Sequence, residues 1–361
     1  MSDGYPLTEA DLPALRLGAA LLGTGGGGNP YIGMLRTREL LRAGATVEVR
    51  SLESFEDDEL IGSVGGIGAP VVGVEKVEEG EECLRALRAV EDAVGTKVSA
   101  LISAEIGGAN AMEPVLTAAQ AGVPVADGDG MGRAFPEVQM TTFFIYGQQP
   151  EPAAIADEKG NCIVYKDMVD MYWLESFARN TVVVMGAGAG FATAPMKAGF
   201  LKKYAVPGTV TQALNIGRAI EQARASRRDV LGKVAEASGG KIIYTGKIGD
   251  VRRELKGGFA MGHVELSGVG DHTGEAGRIA IQNENLIFWR DGNVEITVPD
   301  LLMILELDTA EPITTELLRY GQRVAVLAMP AHPLMKSPEA LKVVGPEAFG
   351  YADIAYKPFA A

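Results

Sequence analysis

The sequence predicts an α/β protein in two parts: an N-terminal three-layer α/β domain on a mainly parallel sheet, then a C-terminal β-rich, barrel-like domain. Three observations carry this. Up to about residue 126, amphipathic helical stripes alternate with short apolar runs, which is the order of βαβ units. From Lys241 the texture changes to short alternating strands with few helices between them. A chain of 361 residues, 47% hydrophobic and 22% charged, has ordinary globular usage and is long enough for two cores.

Thr8 to Leu22 reads as a helix, with Thr8 as N-cap, Glu9 and Asp11 in the first turn, and Leu12, Leu15, Ala19 and Leu22 on one stripe. It runs into Gly23-Thr-Gly-Gly-Gly-Gly28. Asn29 then caps a second helix, with Pro30 at its first position, that continues to Gly44. Thr46 to Arg50 and Ile61 to Val74 read as strands or glycine-broken strand pairs, Glu79 to Val94 as a helix, and Val98 to Ala104 as a buried strand. Asn110 caps a helix through Ala121, and Val123 to Ala126 is the next short strand. Thr141 to Tyr146, and Ala153 to Tyr165 with its turn at Glu158-Lys-Gly-Asn161, read as antiparallel additions. Met168 to Ala178 reads as a helix, Thr181 to Met185 as a strand, and Thr209 to Ala237 as largely helical, stopping at Gly239-Gly240. The later strands are Lys241 to Ile248, Phe259 to Leu266, Arg278 to Trp289, Val294 to Val298, Met303 to Leu307 and Arg323 to Ala328. The architectural boundary is placed near Gly239, dividing 1–238 from 239–361.

A net charge of −14 argues against a nucleic-acid partner or an anionic membrane surface, because no basic patch is there to displace counterions. No charged leader precedes an apolar stretch, and no apolar run approaches the roughly 20 residues a membrane helix needs. A cytoplasmic location and a homo-oligomer are expected. The two cysteines, Cys83 and Cys162, lie in unrelated settings and form no disulfide framework.

The richest chemistry lies in Glu105-Ile-Gly-Gly-Ala-Asn110-Ala-Met-Glu113 and Asp127-Gly-Asp129-Gly-Met-Gly-Arg133-Ala-Phe-Pro-Glu137-Val-Gln139-Met, which pack five carboxylates among glycines. Glu105 follows one predicted strand and Asp127 and Asp129 follow the next, so adjacent parallel strands deliver both acidic loops to one edge. Glycines let a ligand approach the backbone, and Gly128 and Gly130 permit a bend. Clustered carboxylates in a dry cleft have raised pKa values and serve as general base or acid near neutrality. The same oxygens could hold one divalent cation, with Asp127, Asp129 and Glu105 as candidates. The competing reading is a salt-bridge knot in which Arg133 is clamped between carboxylates.

Gly25, Gly26, Gly27 and Gly28 ahead of Asn29 offer free amides at a helix start, suited to an anion, or else a plain turn. Gly186-Ala-Gly188-Ala-Gly190 superficially resembles a dinucleotide fingerprint, but Pro195 falls where a crossover helix would start. A structural or substrate-side loop is preferred, and no nucleotide cofactor is expected. His263, His272 and His332 lack zinc-helix spacing, although His263, His272 and Asp271 could supplement a metal site between domains.

Together Leu22-Gly-Thr-Gly-Gly-Gly-Gly-Asn29-Pro-Tyr-Ile-Gly33, the Glu105 and Asp127 segments, Gln282-Asn-Glu-Asn285-Leu and Val344-Gly-Pro-Glu-Ala-Phe-Gly-Tyr351 resemble the blocks of the S-methyl thiohydantoin desulfurase-like family. The resemblance spans nearly the whole chain. It implies a family N-terminal part over about 1–165, a helical part over 166–238 and a β-rich end, and for some members removal of sulfur from a thiohydantoin ring. The expected substrate is a small cyclic amide or thioamide. Glu105 or Asp129 is then base or metal ligand, Arg133 or the glycine-loop amides hold the anion, and Asn110 and Gln139 orient the ring. Glu137 joins the catalytic set and Asp127 the binding set. The rival expectation is a non-catalytic ligand-binding or accessory subunit beside a hydantoinase or oxoprolinase.

Overall fold

The computed structural model describes residues 4–68, 76, 78–227, 229–256 and 259–360. The expected strand end at Val74 lies outside the described residues. The first part of the chain forms β1 (Gly4–Leu7), α1 (Leu12–Leu22), α2 (Tyr31–Arg42), β2 (Val47–Ser51), β3 (Leu60–Gly68), α3 (Glu82–Val94), β4 (Ala100–Ser103), α4 (Glu113–Ala121) and β5 (Val125–Asp129). There follow α5 (Thr142–Ile145), β6 (Ala153–Ala156), β7 (Cys162–Tyr165), α6 (Met171–Val184), β8 (Gly188–Lys197), α7 (Ala198–Tyr204), β9 (Val206–Pro207), α8 (Thr209–Ser226) and α9 (Val230–Ser238). Their strands make one sheet in the order β1-β2-β5-β4-β3-β8-β6-β7, with β9 added against β5. The centre, β2-β5-β4-β3, is parallel, and antiparallel strands extend it at both sides.

Alternation along the central strands builds three layers. On β4, Leu101 packs with the α3 and α4 side, where Leu87, Val90 and Val115 lie, while Ala100 and Ile102 pack with Leu201 of α7. On β6, Ala154 and Ala156 face the first of these layers and Ile155 faces Leu174 and Ala178 of α6. This is the α/β arrangement the periodicity predicts.

The remainder forms β10 (Lys241–Lys256), β11 (Phe259–Gly268), β12 (Ala276–Gln282), β13 (Glu284–Arg290), β14 (Asn293–Thr297), β15 (Leu301–Glu306), β16 (Arg323–Met329) and α10 (Pro338–Val344). These strands make a second sheet, antiparallel throughout, in the order β14-β13-β12-β11-β10-β16-β15. All its strands send side chains into one core, including Tyr244, Leu266, Ile279, Phe288, Ile296, Ile304 and Val326, so the sheet curls into a half-barrel. Its opposite face, with Ile287, Met303, Leu305 and Leu327, joins Leu15, Leu22 and Val210 of the first part in one continuous core.

Several local expectations change. Thr141 to Tyr146 is the helical turn α5, because Thr141 accepts the Phe144 N–H and starts a helix instead of a strand. Thr181 to Met185 continues α6: Met171, Leu174, Ala178 and Val182 bury one helical stripe, and that packing outweighs the β preference of Val182 to Val184. Arg278 to Trp289 is two strands, divided at Asn283, which takes a left-handed conformation. Asn29 does accept the Tyr31 N–H, at 3.0 Å, but α2 itself starts one residue later than expected. Among the described residues no helix is long and apolar enough to cross a membrane.

Candidate active site

β4 and β5 are parallel neighbours, so Glu105 and Asp129 reach the same sheet edge. Beyond β4 the chain folds back because the Ser103 hydroxyl donates to the carbonyls of Glu105 and Asn110. The turn sets Asn110 beside Glu105. Glu105 is 6% exposed; one carboxylate oxygen accepts from Asn110 Nδ2 at 2.6 Å and the other from the Phe135 N–H at 3.0 Å. Asn110 is fixed in turn, since its Oδ1 accepts the Gly66 N–H at 2.6 Å. Burial pushes the Glu105 carboxyl up to about 7 against these two hydrogen bonds, and the nearby Asp129 charge adds to the rise.

A second carboxylate arrives from the other sheet. Glu284, at the start of β13, is 2% exposed. Burial and the Glu105 charge raise it well above the usual carboxylate range, while Arg133 opposes the rise. Its Oε2 has no hydrogen-bond partner among the described residues. Gly26 exists to admit it: a Cβ there would lie 1.9 Å from Glu284 Oε1. No local motif marks Glu284 as a site residue, although it sits inside the Gln282 to Asn285 block.

The neighbouring acids have other work. Asp127 accepts the Val210 and Thr211 N–H groups and the Thr211 hydroxyl, so it caps α8. Asp129 is fully buried, and its Oδ2 accepts the N–H groups of Ile106, Met131 and Gly132 at 2.8, 3.0 and 2.8 Å. Through that oxygen it holds the two loops together, and burial pushes the Asp129 carboxyl up to about 7 against these hydrogen bonds. Arg133, expected to contact an anion, is fully buried with its guanidinium hydrogens used up. It donates to the carbonyls of Ala134, Pro299, Asp300 and Asn285 and to the Thr24 hydroxyl, and it stacks over Phe135 at 4.3 Å. Among the described residues no carboxylate clamps it; it bolts the two parts of the chain together. Gln139 donates to Glu137.

Between these loops lies a cavity of about 530 Å³. Of the expected residues, Gly27, Gly28, Asn29, Glu105, Asn110 and Glu137 line it; Gly25, Gly26, Asp127, Asp129, Arg133 and Gln139 do not. The glycine loop divides in two. Thr24 and Gly25 accept N–H groups from Asn285 and Thr315 and so form a domain junction, while Gly27 and Gly28 face the cavity. Glu113, which the sequence placed in the acidic stretch without a role, also lines it; burial, then the Glu78 charge, push it up to about 7. Gly186 to Gly190 follows the helix α6, not a strand, and Ala187, Gly188 and Ala189 form part of the wall.

Asp127 spends both oxygens on the Val210 and Thr211 N–H groups and the Thr211 hydroxyl, whereas Asp129 keeps one buried oxygen, Oδ1, without a hydrogen-bond partner among the described residues. Among the described residues no group of three or more His, Cys, Asp and Glu side chains gathers at metal-binding spacing. None of the three histidines lines the cavity: His263 lies 3.7 Å from Glu265, His272 accepts the Thr245 N–H, and His332 accepts the Leu334 N–H. Cys83 is buried, which raises its thiol pKa, and Cys162 is exposed on β7.

Residues 10–167 match the description "S-Me-THD-like, N-terminal domain" and residues 169–359 match "S-Me-THD-like, C-terminal domain". The chain belongs to the S-Me-THD-like family. The family's division at residue 168 falls ahead of α6, whereas β8 still belongs to the first sheet. A crystal structure of a protein from Chromobacterium violaceum is similar over 98% of this chain and 99% of its own, with 25% identity and a TM-score of 0.80. No curated protein matches the chain. In this S-Me-THD-like protein the cavity carries carboxylates from both family domains, Glu105 from the first and Glu284 from the second.

Proposed function

We propose that this protein is a hydrolase that removes sulfur from a thiohydantoin-like ring, with Glu105 as general base and Glu284 as general acid. The observation that carries the reading is the asymmetry of the pair. Both oxygens of Glu105 have donors that favour its charged form, whereas Glu284 Oε2 has none among the described residues, and burial with the Glu105 charge outweighs Arg133 and the Gly27 N–H, so the proton shared between the two repelling carboxylates resides on Glu284. Family membership supports the thiohydantoin substrate.

In the proposed reaction Glu105 takes a proton from water as the water oxygen bonds to the thiocarbonyl carbon. Negative charge gathers on sulfur, and the N-terminal turn of α2, whose Tyr31, Ile32 and Gly33 line the cavity beside Gly27 and Gly28, presents its positive end there. Glu284 protonates sulfur and the C–S bond breaks. The hydroxyl proton returns to Glu284 as the new carbonyl forms, and Glu105 sheds its proton to solvent. One water is consumed for each hydrosulfide and proton released. Asn110, held by Gly66, fixes Glu105 in place and is a positioning residue.

The pair predicts a bell-shaped kcat/KM profile for sulfide release. Activity rises with pH through about 7 as Glu105 ionises, then falls when Glu284 loses its proton. A profile that shows no acid limb contradicts Glu105 as the base. On the same reading the protein is a cytoplasmic homo-oligomer divided near Gly239, with sulfide release the first activity to assay.

A further inference from the structure

A thiohydantoin ring with its exocyclic oxygen and sulfur fills only a small part of the cavity. At about 530 Å³ the space falls in the range of roughly 300–1,000 Å³ typical of sites for much larger ligands. Part of its wall is apolar, formed by Ile67 of β3, Val138, Phe144, Ala189 and Phe191. These side chains belong to the cluster packed under α6, so the wall is rigidly backed. Tyr31 and Ile32 of α2 also line the cavity and stay 47% and 48% exposed, leaving apolar surface without a partner.

The charges have a sign. Arg36, Lys76 and Arg179 line the cavity, but each is already engaged. Arg36 pairs with Glu78, Lys76 with Glu158 at 2.6 Å and the carbonyls of Met185 and Gly188, and Arg179 with Glu175 at 2.7 Å and the Pro136 carbonyl. Against them stand Glu78, Glu105, Glu113, Glu137 and Glu284. Residues 69–75 and 77, outside the described set, contain no Lys or Arg. A carboxylate on the substrate would therefore meet no uncommitted cation among the described lining residues and would share the cavity with several acidic side chains.

We infer that the site selects a ring bearing one bulky, apolar, uncharged substituent and rejects a ring bearing a carboxylate. The ring chemistry in this statement rests on the desulfurase reading; the substituent preference rests on the wall and its charges. The test is calorimetric binding and sulfide release for thiohydantoins carrying hydrogen, benzyl, carboxymethyl or carbamoylmethyl on the ring carbon, at neutral pH with the full chain. Benzyl is expected to bind about 10-fold or more tightly than hydrogen, and carbamoylmethyl about 10-fold more tightly than the near-isosteric carboxymethyl. The Ala189→Phe variant, filling the wall, is expected to erase the benzyl advantage; the ligand series on the unaltered protein stands by itself if that variant fails to fold. Benzyl binding no better than hydrogen, or carboxymethyl binding as well as carbamoylmethyl, overturns the inference, as does no binding by any of the four. Selective binding without sulfide release would sink the desulfurase reading and leave the substituent preference standing. Sulfide release without selectivity would do the reverse.

Discussion

Replacing Glu105 with Gln is expected to cut sulfide release by about 10³-fold, within the roughly 10²–10⁴ that a positioned general base supplies. The fold should survive, because Gln keeps an oxygen for the Phe135 N–H or for Asn110 Nδ2 and loses only one of the two bonds. A second readout separates chemistry from structure. The native carboxyl holds its proton up to about 7, above its ordinary value of 4.5, so the native state binds more protons than the unfolded chain between these limits. Stability contributed by Glu105 is therefore full below about 4.5 and lost as pH rises to about 7, with no further loss above. Glu105→Gln should flatten that decline in chemical denaturation at successive pH values. Turnover near the unaltered level, or an unchanged decline, would remove Glu105 from its role.

The second large effect is on stability. Arg133→Ala is expected to cost about 3–5 kcal/mol or to prevent folding, because it strips a buried charge and the partners of four carbonyls and a hydroxyl at the junction of the two sheets. Arg133→Lys should recover only part, since an ammonium has three donors on one point and cannot reproduce the planar fork. Burial lowers the guanidinium pKa to about 10, which leaves it charged at neutrality and able to offset Glu284, Asp300 and Glu105. The denaturation midpoint measures this. A loss below about 1 kcal/mol would mean that the junction is held elsewhere.

The fold was legible wherever one period dominated: the alternation of helix and strand placed β4 beside β5, and the turn at Asp291 to Asn293 separated β13 from β14. It was illegible where composition and packing disagree, as in α6, whose valines favour a strand until Met171, Leu174, Ala178 and Val182 are seen buried together. The neighbourhood of the cavity was legible too, because glycines among carboxylates are costly without a purpose, and Gly27, Gly28, Glu105 and Asn110 do line it. The roles were not. A carboxylate that accepts amides from its own backbone, as Asp129 does from Ile106, Met131 and Gly132, has the same sequence context as one waiting for a ligand. Glu284 shows the opposite failure. Its proximity to Gly26 comes from how β13 packs against the glycine loop, a contact between residues more than half the chain apart.

The most direct test of the account is the reaction itself in heavy-oxygen water, with a benzyl-substituted thiohydantoin and product analysis by mass spectrometry. Water activated by Glu105 must leave one heavy oxygen in the ring, at the carbon that lost sulfur, for each sulfide released. Release of sulfide without heavy oxygen in the ring, or incorporation that persists undiminished in Glu105→Gln, would contradict it.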